Sequence, residues 1–150
     1  MSIGPPAAPG PLLKLADRLD DETARRILEE LSAGRLEEAD APRVALVMMT
    51  ATDPFDTQFH LGEVLVTEAA VTLGPVRGWG MTLGDAPARA RLKALLDALA
   101  RGGDLAGLEG AAALLGPEEA RLDAERRREE ALVARTRVSF DLMPSGEVRP

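Results

Sequence analysis

The sequence predicts an α+β fold: an antiparallel β-sheet meander packed by helices, with N-terminal helices before it and a charged C-terminal helix followed by a final strand. Three patterns lead to this prediction: helical spacing of apolar residues near the N-terminus, dense β-branched residues in the middle, and a leucine stripe after them. The 150 residues suffice for one core. We expect a single domain over residues 12–143, between flexible tails at 1–11 and 144–150.

Two short helices are predicted upstream of the sheet. Apolar residues recur at helical spacing from Leu12 to Leu19 and again from Ala24 to Leu31. Between these runs, Asp20 and Asp21 are good N-cap residues, because a carboxylate accepts hydrogen bonds from the free N–H groups of a helix start. Gly34 marks the end of the second helix, since glycine readily adopts the left-handed conformation that closes helices.

Three strands are predicted in the middle of the chain. Val44 to Met49 form a continuous apolar run, a pattern typical of a buried central strand. The segment from Phe59 to Leu73 is dense in β-branched residues, and a Gly-Pro turn separates it from an extended segment at Val76 to Leu83. Together these segments predict the antiparallel meander.

The last of these strands has two unlike faces. Trp79, Met81 and Leu83 share one face because side chains alternate along a strand. Gly78 and Gly80 lie on the other face, where we expect a close approach of another backbone or a bulge.

A further helix is predicted directly after the meander. Asp85 is its expected N-cap, and Pro87 stands near its first position. Gly102 and Gly103 should end it. Its leucines recur at i, i+3, i+4 and i+7, so the helix should pack on the sheet through Leu92, Leu95, Leu96 and Leu99.

The C-terminal third is less regular. Ala106 to Leu115 is rich in Gly, Ala and Leu and is ambiguous, and the last helix is predicted to begin at Pro117. Glu125 to Glu130 is a run of consecutive charged residues longer than one helical turn, so no face of that turn is dry core. It is either a solvated face with i,i+4 ion pairs or part of a helix that docks on a charged partner. Residues 138–142 then alternate as in a half-buried strand.

Composition excludes several classes of function. The chain has no cysteine, which rules out thiolate-bound zinc, iron–sulfur clusters and thiol nucleophiles. Its formal charge of −7 argues against nucleic-acid binding, and aromatic residues make up only 3%. No apolar window is long enough to span a bilayer, and the N-terminus has no signal-peptide pattern. We therefore expect a cytoplasmic protein that binds neither nucleic acid nor membrane.

Candidate chemical residues are few. His60 is the single histidine, so no His pair can hold a metal, and a structural or exposed role is expected. No serine nucleophile motif and no phosphate-binding glycine loop occurs. The catalytic residues stay unknown, and no metal site is expected in this chain.

Two groups of residues are candidate ligand contacts. Gly62, Glu63 and Thr67 lie close together on one predicted strand. The acids there, Glu63 and Glu68, suggest a metal-binding or acid–base pair or, more commonly, a solvated face. Arg89 and Arg91 follow the start of the helix after the meander, where free N–H groups and the helix dipole attract anions. The expected Asp85 cap competes with an anion there.

Read as a block, four short pieces carry a resemblance to a known family. They are Phe59 to Glu63, Val66 to Val71, Gly78 to Gly84, and Ala90 to Leu99 with its Leu-Asp-Ala-Leu ending. This block resembles the PhnG family, small subunits of the bacterial carbon–phosphorus lyase system for phosphonate breakdown. The resemblance extends more loosely over both flanks and covers most of the chain after the N-terminal tail.

The resemblance implies a transferase activity that exists only in a complex. In that family the complex makes ribose 1-methylphosphonate 5-triphosphate by displacing adenine from MgATP with a phosphonate, and a separate iron–sulfur subunit later breaks the carbon–phosphorus bond. It implies that this chain alone binds no cofactor, that MgATP serves the whole complex, and that the partners are the other core subunits. A homodimer is left open.

Two positions depart from the family pattern. The family often has Arg where this chain has Glu68, and Gly-Arg-Asp where it has Gly84-Asp85-Ala86. Both departures remove positive charge from places where the resemblance implies contacts with phosphate oxygens. Three hypotheses follow: a subunit that contributes to assembly and to the transferase site, a scaffold without ligand, and an independent enzyme for an anionic metabolite.

Overall fold

The computed structural model describes residues 10–33 and 36–136. The elements in chain order are α1 (Gly10–Arg18), α2 (Asp21–Ser32), β1 (Glu37–Thr52), β2 (Gln58–Leu73), β3 (Val76–Leu83), α3 (Pro87–Gly102) and α4 (Leu105–Arg135). The strands form one antiparallel sheet in the order β1-β2-β3, which confirms the α+β meander. The strand predicted at 138–142 lies outside the described residues, as do residues 1–9 and the tail at 144–150.

The two N-terminal helices are confirmed, with shifted ends. α1 begins at Gly10, so Gly10 and Pro11 belong to the helix and not to the predicted tail. Asp20 is the N-cap of α2, and its carboxylate accepts a 2.8 Å hydrogen bond from the Thr23 N–H. α2 ends at Ala33, which itself adopts the left-handed conformation at φ 42°.

The apolar run from Val44 to Met49 forms a strand, but its predicted central position is wrong. It belongs to β1, which pairs only with β2 and is therefore an edge strand. Every residue of the run is exposed. A continuous apolar pattern shows only that both faces of a strand are apolar. It does not show what covers them, and no described part of this chain covers either face here.

α3 lies directly against β3 because two glycines leave room for its backbone. A Cβ built on Gly78 would stand 2.1 Å from the Ala94 carbonyl oxygen, and one on Gly80 would stand 2.3 Å from that of Ala90. The pairing of β2 with β3 has no register shift, so the glycines serve the predicted close approach and form no bulge.

α3 is the central element of the core. On one side its leucines pack with α1, α2 and α4 in a cluster that includes Leu19, Leu92 and Leu115. On its other side Leu95 and Leu99 pack with β2 and α2. The predicted leucine stripe is thus confirmed, and the helix is buried almost all round.

Side chains of α3 also close part of the outer edge of β3. The Asp97 carboxylate accepts a 3.0 Å hydrogen bond from the Trp79 N–H, and the Arg89 guanidinium donates a 3.0 Å bond to the Leu83 carbonyl. These backbone groups are thereby bonded to α3 instead of to a fourth strand, which is one way in which proteins protect a sheet edge.

The C-terminal part is one long helix, so the start predicted at Pro117 is wrong. α4 runs from Leu105 through Pro117, and the Asp104 carboxylate caps it by accepting from the Gly107 N–H at 2.9 Å. The Ala- and Leu-rich segment before Pro117 has high helix propensity, and the helix continues through the exposed proline although an interior proline costs one backbone hydrogen bond and crowds the carbonyl four residues before it.

The part of α4 before Glu125 contacts the N-terminal helices. Ion pairs join Arg26 to Glu118 at 2.6 Å and Arg18 to Asp123 at 2.8 Å. From Glu125 to Thr136 every residue is exposed, which confirms that the charged turn contributes no dry core. Among the described helices none has the length and apolarity that crossing a bilayer needs.

We expect Gly78→Ala to destabilise the fold strongly, because the new methyl group would meet the α3 backbone, which cannot move without opening the core. The expected loss is about 3 kcal/mol of unfolding free energy, measured by urea denaturation. Gly110→Ala in α4 is the matched control: the nearest atom to the added carbon is the Leu31 Cδ1 at 3.8 Å, an ordinary van der Waals contact, so stability should stay equal or rise by up to about 1 kcal/mol. Equal midpoints for Gly78→Ala and wild type would contradict this packing.

We expect the α2 cap to make stability depend on acid pH. The Thr23 backbone N–H, which donates to the carboxylate, is the main cause that lowers the pKa of Asp20 below its ordinary 3.8. A lowered folded-state pKa stabilises the protein above the ordinary value, and this contribution is lost as pH falls through the folded pKa. Asp20→Ala should therefore cost about 1 kcal/mol near neutral pH.

That cost should shrink as the pH is lowered from about 5 to about 3. Urea denaturation of wild type and Asp20→Ala across this range measures the difference. A difference that is independent of pH would show that the charge of the cap contributes nothing.

Candidate functional site

The β1–β2 hairpin extends well beyond the body of the domain. β3 pairs with β2 only as far as Val66, so residues 46–65, called the arm from here on, have no third strand beside them within the described part of the chain. At about 3.4 Å per residue the two strands of the arm project by roughly 25–30 Å. An isolated two-stranded ribbon of this length is at best marginally stable in water.

Both faces of the arm are apolar. Leu46 pairs with Leu65 on one face, and Val47 pairs with Val64 on the other. Large apolar side chains are exposed along the arm at Leu46, Val47, Met48, Met49, Phe55, Phe59, Leu61 and Leu65. A soluble monomer rarely exposes so continuous an apolar surface, so the arm has the character of an interaction surface.

An ordered turn forms the tip of the arm. The Asp53 carboxylate accepts hydrogen bonds from the backbone N–H groups of Phe55 at 2.8 Å and Thr57 at 2.9 Å. Two backbone bonds between Asp53 and the residues Asp56 and Thr57 close the same turn. Phe55 stands on this turn with 88% of its surface exposed.

The open face of the sheet continues this apolar surface toward β3. α3 covers one face of the sheet, and Trp79, Met81 and Leu83 lie on the other, as predicted. Trp79 is 50% exposed in a shallow cavity of about 150 Å³. Two ion pairs border this cavity, Arg43 with Glu68 and Arg77 with Asp40.

Two of the predicted ligand contacts, Gly62 and Glu63, lie on the arm. They stand opposite Met49 and Met48, next to an irregularity in the β1–β2 register, and Gly62 has a φ of 134°. Both are exposed, and no described group of three or more His, Asp or Glu side chains lies together in a metal-binding arrangement. His60 is exposed on the arm as well.

Thr67 and Arg89 come together at the corner between β3 and α3. The buried Thr67 hydroxyl donates to the Gly84 carbonyl at 2.6 Å and accepts from the Ala86 N–H at 3.0 Å. The Arg89 guanidinium donates to the carbonyls of Leu83 and Asp17 at 3.0 and 3.1 Å. These bonds hold the corner together, so both residues have structural roles there.

The anion site predicted at the start of α3 is occupied by a carboxylate of this chain. Asp21, from α2, accepts a 2.9 Å hydrogen bond from the Arg89 backbone N–H. Asp85 is not the N-cap: that position belongs to Ala86, which makes no side-chain cap bond. Arg91 is two residues from Arg89 and therefore points to a different side of the helix.

Other charges at this corner are also neutralised internally. The Lys93 ammonium makes two 2.8 Å contacts with the Asp17 carboxylate, which also accepts from the Thr82 hydroxyl at 2.9 Å. The Arg89 Nε has no hydrogen-bond partner among the described groups, but it is buried, so a ligand from solvent cannot reach it without displacing its cover. The structure therefore brings Thr67 and Arg89 together in a hydrogen-bonded corner, and not in an open pocket.

The residues that define the exposed surface, above all Phe55, were not predicted from the sequence. One signal was present: no Lys or Arg occurs between Arg43 and Arg77, although the segment holds many large apolar residues. An apolar segment without cations lacks the usual protection of an exposed strand edge.

We expect Arg89→Ala to lower stability by about 1–3 kcal/mol, because the two carbonyls that it bonds lose a charged donor. Tripolyphosphate should raise the melting temperature of wild type no more than that of Arg89→Ala, each relative to its own ligand-free value. Arg128→Ala, an exposed position on α4, is the control for loss of one positive charge. A stabilisation by tripolyphosphate that disappears only in Arg89→Ala would contradict the bracing role.

Comparison with known proteins identifies the family. The profile of a family described as phosphonate metabolism protein PhnG matches residues 12–146. A Rhizobium meliloti (strain 1021) protein, named alpha-D-ribose 1-methylphosphonate 5-triphosphate synthase subunit PhnG, is 42% identical over 113 residues, which are 71% of this chain and 68% of that protein. The family match over residues 12–146 includes the sheet, the arm and the corner at α3. The chain belongs to the PhnG family.

Proposed function

We propose that this chain is the PhnG subunit of an alpha-D-ribose 1-methylphosphonate 5-triphosphate synthase and that its main contribution is to assembly. The observation that carries the proposal is the arm: its two faces are apolar and exposed, and no other described strand pairs with its β1 edge. Contact with a second chain along one side would leave the other sides in water. An arm inserted between elements of other subunits has all three covered.

The name of the Rhizobium meliloti relative supports the subunit role, since it describes one subunit of a larger synthase. The reaction expected from the resemblance forms a bond between a phosphonate oxygen and C1 of the ribose of MgATP, while adenine leaves with the electrons of the broken C–N bond. We propose that the other subunits supply most groups for this step.

The described residues of this chain do not fit a MgATP site by themselves. The donors of Arg89 and Lys93, two cations in the first turns of α3, are bonded to Asp17 and Leu83. Asp21 occupies the Arg89 N–H at the helix start. A triphosphate would have to displace these groups, so any contact between this subunit and substrate belongs at an interface with another subunit.

A role as a pure scaffold without ligand remains the alternative. The two roles differ in what Glu63, exposed on the arm, does after assembly. If the chain contributes to the transferase site there, Glu63→Ala in the intact complex lowers turnover without changing its composition. If the chain is a scaffold, turnover per complex stays that of wild type.

We expect the wild-type chain to co-purify at fixed stoichiometry when it is expressed with the other synthase subunits from the same source. A variant without the arm should fold and fail to join them. Because Val47 and Val64 are directly opposite, an Asn-Gly turn that replaces residues 48–63 joins β1 to β2 and preserves the sheet.

The melting temperature of this shortened variant checks that its body is folded, and size-exclusion chromatography with light scattering reports the assembly. A wild-type chain that ignores every other subunit would sink the proposal. A shortened variant that assembles normally would remove the arm from it.

A further inference from the structure

The tip of the arm presents one large side chain in a fixed position. Four hydrogen bonds, two to the Asp53 carboxylate and two along the backbone, hold the turn that carries Phe55. The ring is 88% exposed, more than any other exposed large apolar side chain of the described residues. A rigid turn loses little conformational entropy on binding, so it is well suited to place an aromatic anchor.

We propose that Phe55 is an anchor that inserts into an apolar pocket with a basic rim on a different subunit of the synthase. This inference rests on the proposed function and names the point of attachment and the chemistry of the partner. Binding energy at protein interfaces is concentrated in a few aromatic and arginine side chains that fill pockets, and a fixed, exposed phenylalanine at the end of an apolar arm has this character.

The charge of the arm specifies the rim of the pocket. From Val44 to Val76 the chain has no Lys or Arg; Asp53 and Asp56 lie in the turn at the tip of the arm, and Glu63 lies nearer its base, opposite Met48. The arm is therefore negative throughout its outer part. A partner that buries Phe55 must bring groups close to these carboxylates, and arginine or lysine on the rim offsets the repulsion and speeds association.

A second copy of this chain is a poor occupant for the same reason. Each copy carries a formal charge of −7, so approach of one acidic arm to another copy is opposed by both charges. The groove of this chain that is lined by apolar Val66, Met81 and Leu83 and by Arg89 and Lys93 holds about 250 Å³. Its cations, however, are already bonded to groups of the same chain.

The test measures the affinity of the full-length chain for the purified assembly of the other synthase subunits. Phe55→Ala should weaken binding by about tenfold or more, mostly through faster dissociation. The matched control is Leu105→Ala, which removes another large apolar side chain, 71% exposed at the start of α4 and away from the arm. The control should bind like wild type.

A second pair of variants tests the basic rim. Asp56→Asn removes a charge and keeps the left-handed turn, because asparagine tolerates the φ of 63° at this position. Combined with Glu63→Gln, it should slow association several-fold at low salt and flatten the dependence of the association rate on salt concentration. The substitutions leave the apolar contact unchanged, so dissociation should change little.

The outcomes separate the two proposals. If wild type binds the other subunits and Phe55→Ala binds equally well, the anchor is overturned while the proposed function stands. If wild type and Leu105→Ala form a homodimer that Phe55→Ala abolishes, the choice of partner is overturned. If the charge variants keep the wild-type salt dependence, the basic rim is overturned. If wild type binds no synthase subunit at all, the proposed function itself fails.

Discussion

The contact between α3 and β3 determines how the rest of this domain is arranged. Gly78 and Gly80 let the helix backbone lie where side chains would otherwise stand, so α3 sits unusually close to the edge of the sheet. From that position it shares one cluster with α1, α2 and α4 and another with β2 and α2. The same closeness brings Asp97 and Arg89 within reach of the β3 backbone. Packing and edge protection are therefore consequences of two missing side chains.

Because α3 protects the β3 edge of the sheet, the β1 edge is the one that stays open to solvent or to another chain. β1 carries no such cover, and its outer half continues into the arm without a third strand. A buried side chain of the size of Leu, Met or Phe contributes about 1.5–3 kcal/mol relative to its exposed state. Several such side chains on the arm supply enough to offset the entropy lost on association. A partner that covered the arm would thus stabilise the arm through the same contacts that hold the assembly together.

Sequence patterns predicted the features that are determined locally or within one core. The leucine stripe of α3, the cap at Asp20 and the close approach at Gly78 each follow from one period or one residue type. The central position of Val44 to Met49 could not be predicted correctly, because periodicity reports that both faces avoid water and not which molecule covers them. The described residues leave both faces of this strand exposed.

The wrong prediction of the α3 cap has a similar cause, and the same cause explains bonds of Arg89 that were not predicted. Asp85 was the natural cap for α3 by its spacing, but Asp21 occupies that role from a different helix, 68 residues away from Arg89 in the chain. Likewise, Arg89 had the type and place of an anion ligand, yet its guanidinium donates to two carbonyls that only the tertiary fold brings near. Donors that look free in a sequence are often bonded by groups far along the chain.

The position of Glu68 follows the same reasoning. The family often has arginine at this position. The glutamate of this chain therefore suggested that a contact with phosphate is lost. In the structure Glu68 is paired with Arg43 across the β1–β2 ladder, beside the exposed Trp79. The charge at this place therefore belongs to the border of an aromatic surface, where a pair of either orientation preserves the cross-strand attraction. Such a border suits a surface that binds protein, because it keeps polar groups around an apolar centre that a partner covers. In this structure Glu68 is therefore the ion-pair partner of Arg43 and a neighbour of Trp79, with its carboxylate already bonded within the chain.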